Sequence, residues 1–230
     1  TEATTEEVTT EDAHPGETYN ELTGEWSADF ENKRPVAVMI NNIKEALPSS
    51  CTKQADIIYE CMVEGGITRL LAIFSDYDEL EKIGSVRSAR HYYINIANEY
   101  DAIYVCYGQS KPAKKLLDNG AIDVVNGYVY DPAFYRDSDR VAPHNAYASA
   151  DGIKAGIENK GYRTKLNKGY EGPFLFAEDG EEVELTNGKK AEKIVPGYYV
   201  NKPWFEYDKK KKVYKRFQYD GEHIDDLTGH

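Results

Sequence analysis

The chain has 230 residues and a formal net charge of −12, with 30% charged and 12% aromatic residues. That length can bury a sizeable core, as one large domain or two small ones. Nine acidic residues and no Lys or Arg fall in residues 1–30, so this segment carries −9 of the −12 and leaves −3 for the remaining 200. A nearly neutral folded part argues against a basic nucleic-acid footprint and against strong overall attraction to anionic lipid.

The first thirty residues, "TEATTEEVTTEDAHPGETYNELTGEWSADF", are rich in Thr and Glu and poor in aliphatics. Such a segment cannot bury enough apolar surface to offset its ordering entropy, and its like charges extend it. Residues 1–30 are therefore expected to be disordered, either as a free end or as a tether between a membrane anchor and a folded domain. The chain contains no apolar run of about 18 residues, no signal peptide and no lipid-attachment Cys.

"RPVAVMINN" (34–42) reads as a buried strand entering a polar loop. In "ADIIYECMVEGG" (55–66) a strand would put Ile57, Tyr59, Cys61 and Val63 on one face and Asp56, Glu60 and Glu64 on the other, while in a helix Glu60 and Glu64 would still lie together, four apart. With Gly65-Gly66 as turn chemistry and "ITRLLAIFSD" following, a hairpin is predicted. "SVRSARHYYINIANEY" (85–100) predicts a helix, with Ser85 as N-cap and Ala89, Tyr93, Ile96 and Ala97 as its apolar stripe. "DAIYVCYG" (101–108) predicts a strand. "KPAKKLLDNG" predicts a short helix with Pro112 in its first turn, and "IDVVNGYVY" a further strand. "ASADGIKAGIENKG" (148–161) predicts a helix with Asp151 near its start and Gly161 beyond its end. This alternation implies an α+β class: an N-terminal mixed sheet covered by helices over residues 31–165. From 166 to 230 the "EDGE", "TNGK" and "YDGE" turns space out strands without a helix. That part is expected to be a second, β-rich and incomplete unit.

The three cysteines, Cys51, Cys61 and Cys106, have spacings that fit neither a zinc knuckle nor a redox CxxC; buried thiols are the favoured reading, with one oxidised pair in an extracellular setting as the alternative. Five of the eight arginines lie in three polar stretches, "EGGITR", "GSVRSAR" and "FYRDSDRVAPHN". In the second, Gly84 and Ser85 at a helix start, with Ser88 and Arg87, would form an anion site. The alternative is that Arg87 and Arg90 pair internally with Glu60, Glu64 or Asp101. In the first stretch, Glu64, Thr68 and Arg69 gather at a tight turn. Glu60 and Glu64 on one strand would be roughly 13 Å apart, too far for a glycosidase pair, though Glu64 could work with an acid from another segment. The third offers Arg136, Asp137, Asp139, Arg140, His144 and Asn145 around Pro143. His144 is a candidate general base or anion ligand, or simply fixes the loop through Asn145. No metal site and no cofactor are expected.

Taken together and in order, "RPVAVMINN", "QADIIYECMVEGGITRLLAIF", "KIGSVRSAR", "EYDAIYVCYGQS" and "APHNAY" closely resemble the YerB-like bacterial lipoproteins over residues 33–160. "PWFEYDKKKKVYKRFQYDGEHIDDLTG" resembles the opening half of that family's C-terminal domain. The resemblance implies a lipid-anchored protein on the outer face of the bacterial cytoplasmic membrane, with the Thr/Glu segment as its tether and the anchor outside this chain. It supplies no established reaction. The motif positions it singles out are Gln54, Asp56, Glu60, Glu64, Thr68, Arg69, Arg87, Ser88, Arg90, Ser110, Arg136, His144 and Asn145. Where the family often has a histidine, this chain has Cys106 or Tyr107, which weakens any catalytic role for that strand end. The expected function is binding of an anionic cell-wall polymer or envelope protein by the arginine cluster. The alternative is an envelope hydrolase or transferase using Glu64 or His144 as acid–base.

Overall fold

In the computed structural model, the described residues are 13–229 apart from 179, 182 and 185. Structure begins earlier than the composition implies. Residues Thr18–Asn20 (β1) and Glu25–Ser27 (β2) pair as an antiparallel hairpin. Leu22 at its tip is buried against the core, and the Asn20 amide donates to Ser75 Oγ at 3.0 Å. Glu21 accepts the Gly172 N–H at 2.9 Å, so a later segment covers the hairpin. The expected disorder over 1–30 thus fails for 18–27, because Leu22 joins the core, the hairpin is tied to Ser75 and Gly172, and Tyr19 and Trp26 pack across it with ring centroids 5.1 Å apart. Residues 1–12 lie outside the described residues.

Strand β3 (Val36–Asn41) is buried throughout, and β4 (Ile57–Met62) and β5 (Thr68–Phe74) form the predicted hairpin. Next come β6 (Ile83–Gly84), α1 (His91–Glu99), β7 (Ile103–Cys106), α2 (Lys111–Asp118) and β8 (Val124–Asn126). They are followed by β9 (Phe134–Arg136), β10 (Ala146–Ala148) and α3 (Ala150–Lys160). The central sheet has the order β4-β5-β3-β7-β8, with β3, β7 and β8 parallel and β5 antiparallel to both its neighbours. Alternation along β3 sends Ala37 and Met39 to one face, where Tyr93, Ile94 and Ala97 of α1 pack. Val36, Val38 and Ile40 meet Ile153 and Ile157 of α3, with Ile83 of β6, on the other. Both faces being covered explains the near-continuous apolar runs of β3 and β5. Each fully buried Val, Ile or Leu contributes about 1.5–3 kcal/mol.

Helix α1 starts at His91, with Arg90 as an N-cap that makes no side-chain cap bond. The predicted helical turns over 85–90 are instead an extended strap. Strands β3 and β7 pair only over Val36–Val38 and Ile103–Val105, and their carboxyl ends diverge. The strap fills the gap: Arg87 N–H donates to Met39 O at 2.8 Å, Tyr107 N–H to Arg87 O at 3.0 Å, and Ala89 N–H to Gly108 O at 2.9 Å. Its backbone groups are worth more in this ladder than in an uncapped first turn, and Val86 and Ala89 become buried.

Residues 193–222 form a four-stranded antiparallel meander: β11 (Lys193–Ile194), β12 (Trp204–Asp208), β13 (Val213–Gln218) and β14 (Gly221–Glu222). The described residues of 173–192 contain no strand, so the "EDGE" and "TNGK" turns do not join strands as expected. The three cysteines are free, Cys51 and Cys106 buried and Cys61 partly so. Among the described residues no helix is long and apolar enough to cross a membrane.

Candidate functional site

The carboxyl ends of β3, β7 and β8 and the start of β5 share one end of the sheet, the place where open sheets with parallel strands collect ligands. The three arginine stretches converge there. Arg69 opens β5, Arg87 and Ser88 ride on the strap, and Arg90 caps α1. The Nη1 atoms of Arg69 and Arg90 both donate to the Ser88 carbonyl oxygen, which brings the two guanidiniums together. Arg87 Nη1 donates to Pro143 O at 3.1 Å, and the Asn41 amide meets His144 Nδ1 at 3.0 Å, so the 136–145 loop closes one side. Arg136 is held by Asn145 Oδ1 at 3.0 Å and lies 4.7 Å over the Tyr107 ring. Arg87 and Arg90 therefore do not both lie in the helix predicted over 85–100; they meet because an extended strap crosses the sheet end.

Charge at this end is uncompensated. Five arginines have a carboxylate: Arg34 with Asp101 and Asp123, Arg90 with Glu64, Arg140 with Asp226, Arg163 with Asp101, and Arg216 with Glu60. Arg69, Arg87 and Arg136 have none among the described residues. Burial, and then the neighbouring Arg90 and Arg87 charges, push Arg69 down to about 10. Burial and Arg90 lower Arg87 likewise, with Arg136 adding to the effect. The Nε atoms of Arg69 and Arg87 are buried and have no hydrogen-bond partner, although Arg69 as a whole is only 5% exposed. Unpaired buried donors on clustered cations are the features an anion would satisfy.

The two acid–base candidates fare differently. Arg90 grips the Glu64 carboxylate through Nε (2.8 and 2.9 Å) and Nη2 (2.6 Å), and this holds its pKa below the usual carboxylate range. A carboxyl kept ionised is a poor general acid near neutrality. Burial and the Arg87 charge lower His144, keeping it neutral. Ser110 is spent as the N-cap of α2, accepting from Ala113 N–H at 3.4 Å. Asp56 accepts from Ser75 N–H at 2.6 Å and Oγ at 2.9 Å, a strand-end clasp.

Glu60 and Thr68 lie away from the cluster, in a second network. Glu60 Oε1 accepts from Asn42 (3.1 Å), Thr68 Oγ1 (2.7 Å) and Asn201 (2.7 Å), and Oε2 accepts from Arg216 Nη2 at 2.8 Å. Gln218 Nε2 donates to Asn42 Oδ1 at 2.9 Å, and Arg216 Nη1 meets His223 Nδ1 at 2.6 Å. These residues fasten the C-terminal meander to the central sheet. Glu60 and Thr68 were singled out in the sequence, but Asn42, Asn201, Arg216, Gln218 and His223 were not, since nothing in "YKRFQYDGEH" points back to residue 60. A cavity of about 570 Å³ lies alongside, between Ile58, Leu70, Phe205 and Tyr214, and its acids Glu60, Glu222 and Asp225 already have their donors.

A mixed sheet covered by helices, continued by a β-rich unit and carrying a cationic polar site at one sheet end, makes this an α+β protein. The chain belongs to the family described as "Protein of unknown function (DUF3048) N-terminal domain", which matches residues 22–163. It is 39% identical over 185 residues to "Putative lipoprotein YerB" of Bacillus subtilis (strain 168). That match covers 80% of this chain and 55% of the relative, so the chain spans little more than half of that protein's length. The crystal structure of the YerB protein from Bacillus subtilis superposes with a TM-score of 0.77 at 35% identity, covering 93% of this chain and 71% of that one.

Proposed function

We propose that this chain is part of the outward-facing portion of a lipid-anchored bacterial envelope protein, and that its arginine cluster binds an anionic group of a wall polymer or envelope partner. The lipoprotein designation of the Bacillus relative supports the location. One observation carries the binding role: three of eight arginines have no carboxylate partner among the described residues, and all three lie together at the ligand-collecting end of the sheet. Had these arginines served only the fold, they would be matched as Arg34 is, with Asp123 at 2.6 Å.

Inorganic phosphate is the simplest probe. At about 100 times its Kd it should stabilise the protein by about 2.7 kcal/mol and raise Tm by about 5 °C or more. Arg87→Met should abolish that rise. Its own cost is small, about 1 kcal/mol, because it removes one hydrogen bond to Pro143 O and strands no carboxylate. A phosphate-induced rise of equal size in wild type and Arg87→Met, or none in either, refutes the proposal.

A further inference from the structure

We infer that the anion reaches this site as a substituent of a sugar, whose ring lies on Tyr128 while its acid group is held by Arg87 and Arg69. This rests on the anion-binding reading above and adds the chemistry of what carries the anion. Tyr128 is 71% exposed, yet it is not free to wander. Its N–H donates to Asn126 Oδ1 at 3.1 Å, and its ring stands edge-on to Tyr107, with centroids 5.6 Å apart and planes at 86°. The phenol end lies over Gly108: a Cβ there would be 2.9 Å from Tyr128 Cζ and 3.2 Å from Ser88 Oγ. Tyr107 beneath is fixed in turn, by its hydroxyl on Asp131 at 2.7 Å and by the Arg136 guanidinium over its ring.

An exposed aromatic ring held this rigidly costs a ligand little ordering entropy. It also lies near the Arg87 guanidinium. A flat, open platform cannot enclose an alkyl chain, but it suits the C–H face of a pyranose ring, whose polarised hydrogens meet the negative face of the π-system. His144 completes the pattern. With the Asn41 amide donating to Nδ1, the neutral imidazole carries its proton on Nε2, a donor suited to a sugar hydroxyl.

The test is a titration of the chain, and of its Tyr128→Ala, Tyr128→Phe and Arg87→Met variants, with four probes. These are inorganic phosphate, N-acetylglucosamine, N-acetylglucosamine 6-phosphate and uridine 5′-monophosphate. The sugar phosphate should bind wild type at least about fivefold more tightly than phosphate does. Tyr128→Ala should erase that margin without altering phosphate affinity or Tm, Tyr128→Phe should restore it, and Arg87→Met should weaken both anions. If phosphate binds but the sugar adds nothing, or Tyr128→Ala leaves the margin intact, this inference falls and the anion site stands. A clear preference for the nucleotide over the sugar phosphate overturns the sugar in favour of a planar base. If no anion binds, both readings fall.

Discussion

Replacing Glu60 by alanine should detach the C-terminal meander before it disturbs the central sheet. The carboxylate accepts four hydrogen bonds, from Asn42, Thr68, Asn201 and Arg216, and its side chain is only 12% exposed. Removing it strands the Arg216 guanidinium, itself 18% exposed, beside a histidine that offers no charge. Breaking a buried pair by deleting one partner costs about 3–5 kcal/mol. Glu60→Gln keeps the volume and can still accept from Asn42, Thr68 and Asn201, but its amide N–H₂ would face the Arg216 donor, so it should lose a large part of the same amount. Urea denaturation measures the total, and amide exchange locates it. Protection should fall first in β12 and β13 and last in β3 and β5. A loss below about 1 kcal/mol for Glu60→Ala, or an equal fall of protection in both sheets, would refute the fastening role.

Two further outcomes follow from the packing. Tyr93→Phe should cost about 1–3 kcal/mol, because the fully buried hydroxyl accepts from Cys61 N–H at 2.8 Å and donates to Arg69 O at 2.5 Å, and both groups would be left unpaired. Faster exchange at the Cys61 amide is the check, and unchanged stability would show that the two backbone groups find other partners. His223 is pushed from 6.5 down to about 3, by burial first and by the Arg216 cation second. Between those pH values the unfolded chain binds more protons at this residue than the folded one, so its contribution to stability is full above about pH 6.5 and is lost as pH falls toward 3. The stability of wild type relative to His223→Gln should therefore drop by about 2–3 kcal/mol from pH 7.5 to 4.5. A pH-independent difference would count against a half-buried imidazole kept neutral.

Short-range signals in the sequence settled the elements whose stability is local. Ser149 and Gly161 bound α3, with the Ser149 hydroxyl accepting from Gly152 N–H at 3.1 Å and Gly161 in the left-handed region at φ 65°. Pro112 opens α2, and the two-residue period of "IIYECMV" with its Gly-Gly turn builds the β4–β5 hairpin. Motif order alone was enough for the family resemblance, which the profile match over 22–163 establishes. It also singled out most of the residues at the sheet end. What it could not separate was Glu60 and Thr68 from Glu64 and Arg69, because a strand's period puts residues on a face without saying what covers that face. Only the folded chain decided that the meander lands on Glu60, that residues 85–90 leave the helix to fill the gap between β3 and β7, and that Leu22 draws an acidic segment into a hairpin. Each outcome depends on groups far apart in sequence, up to 156 residues for Glu60 and Arg216, meeting at one place. Which arginines find a carboxylate, and which are left for a ligand, is likewise a matter of the chain's path through space, and residue spacing carries no record of it.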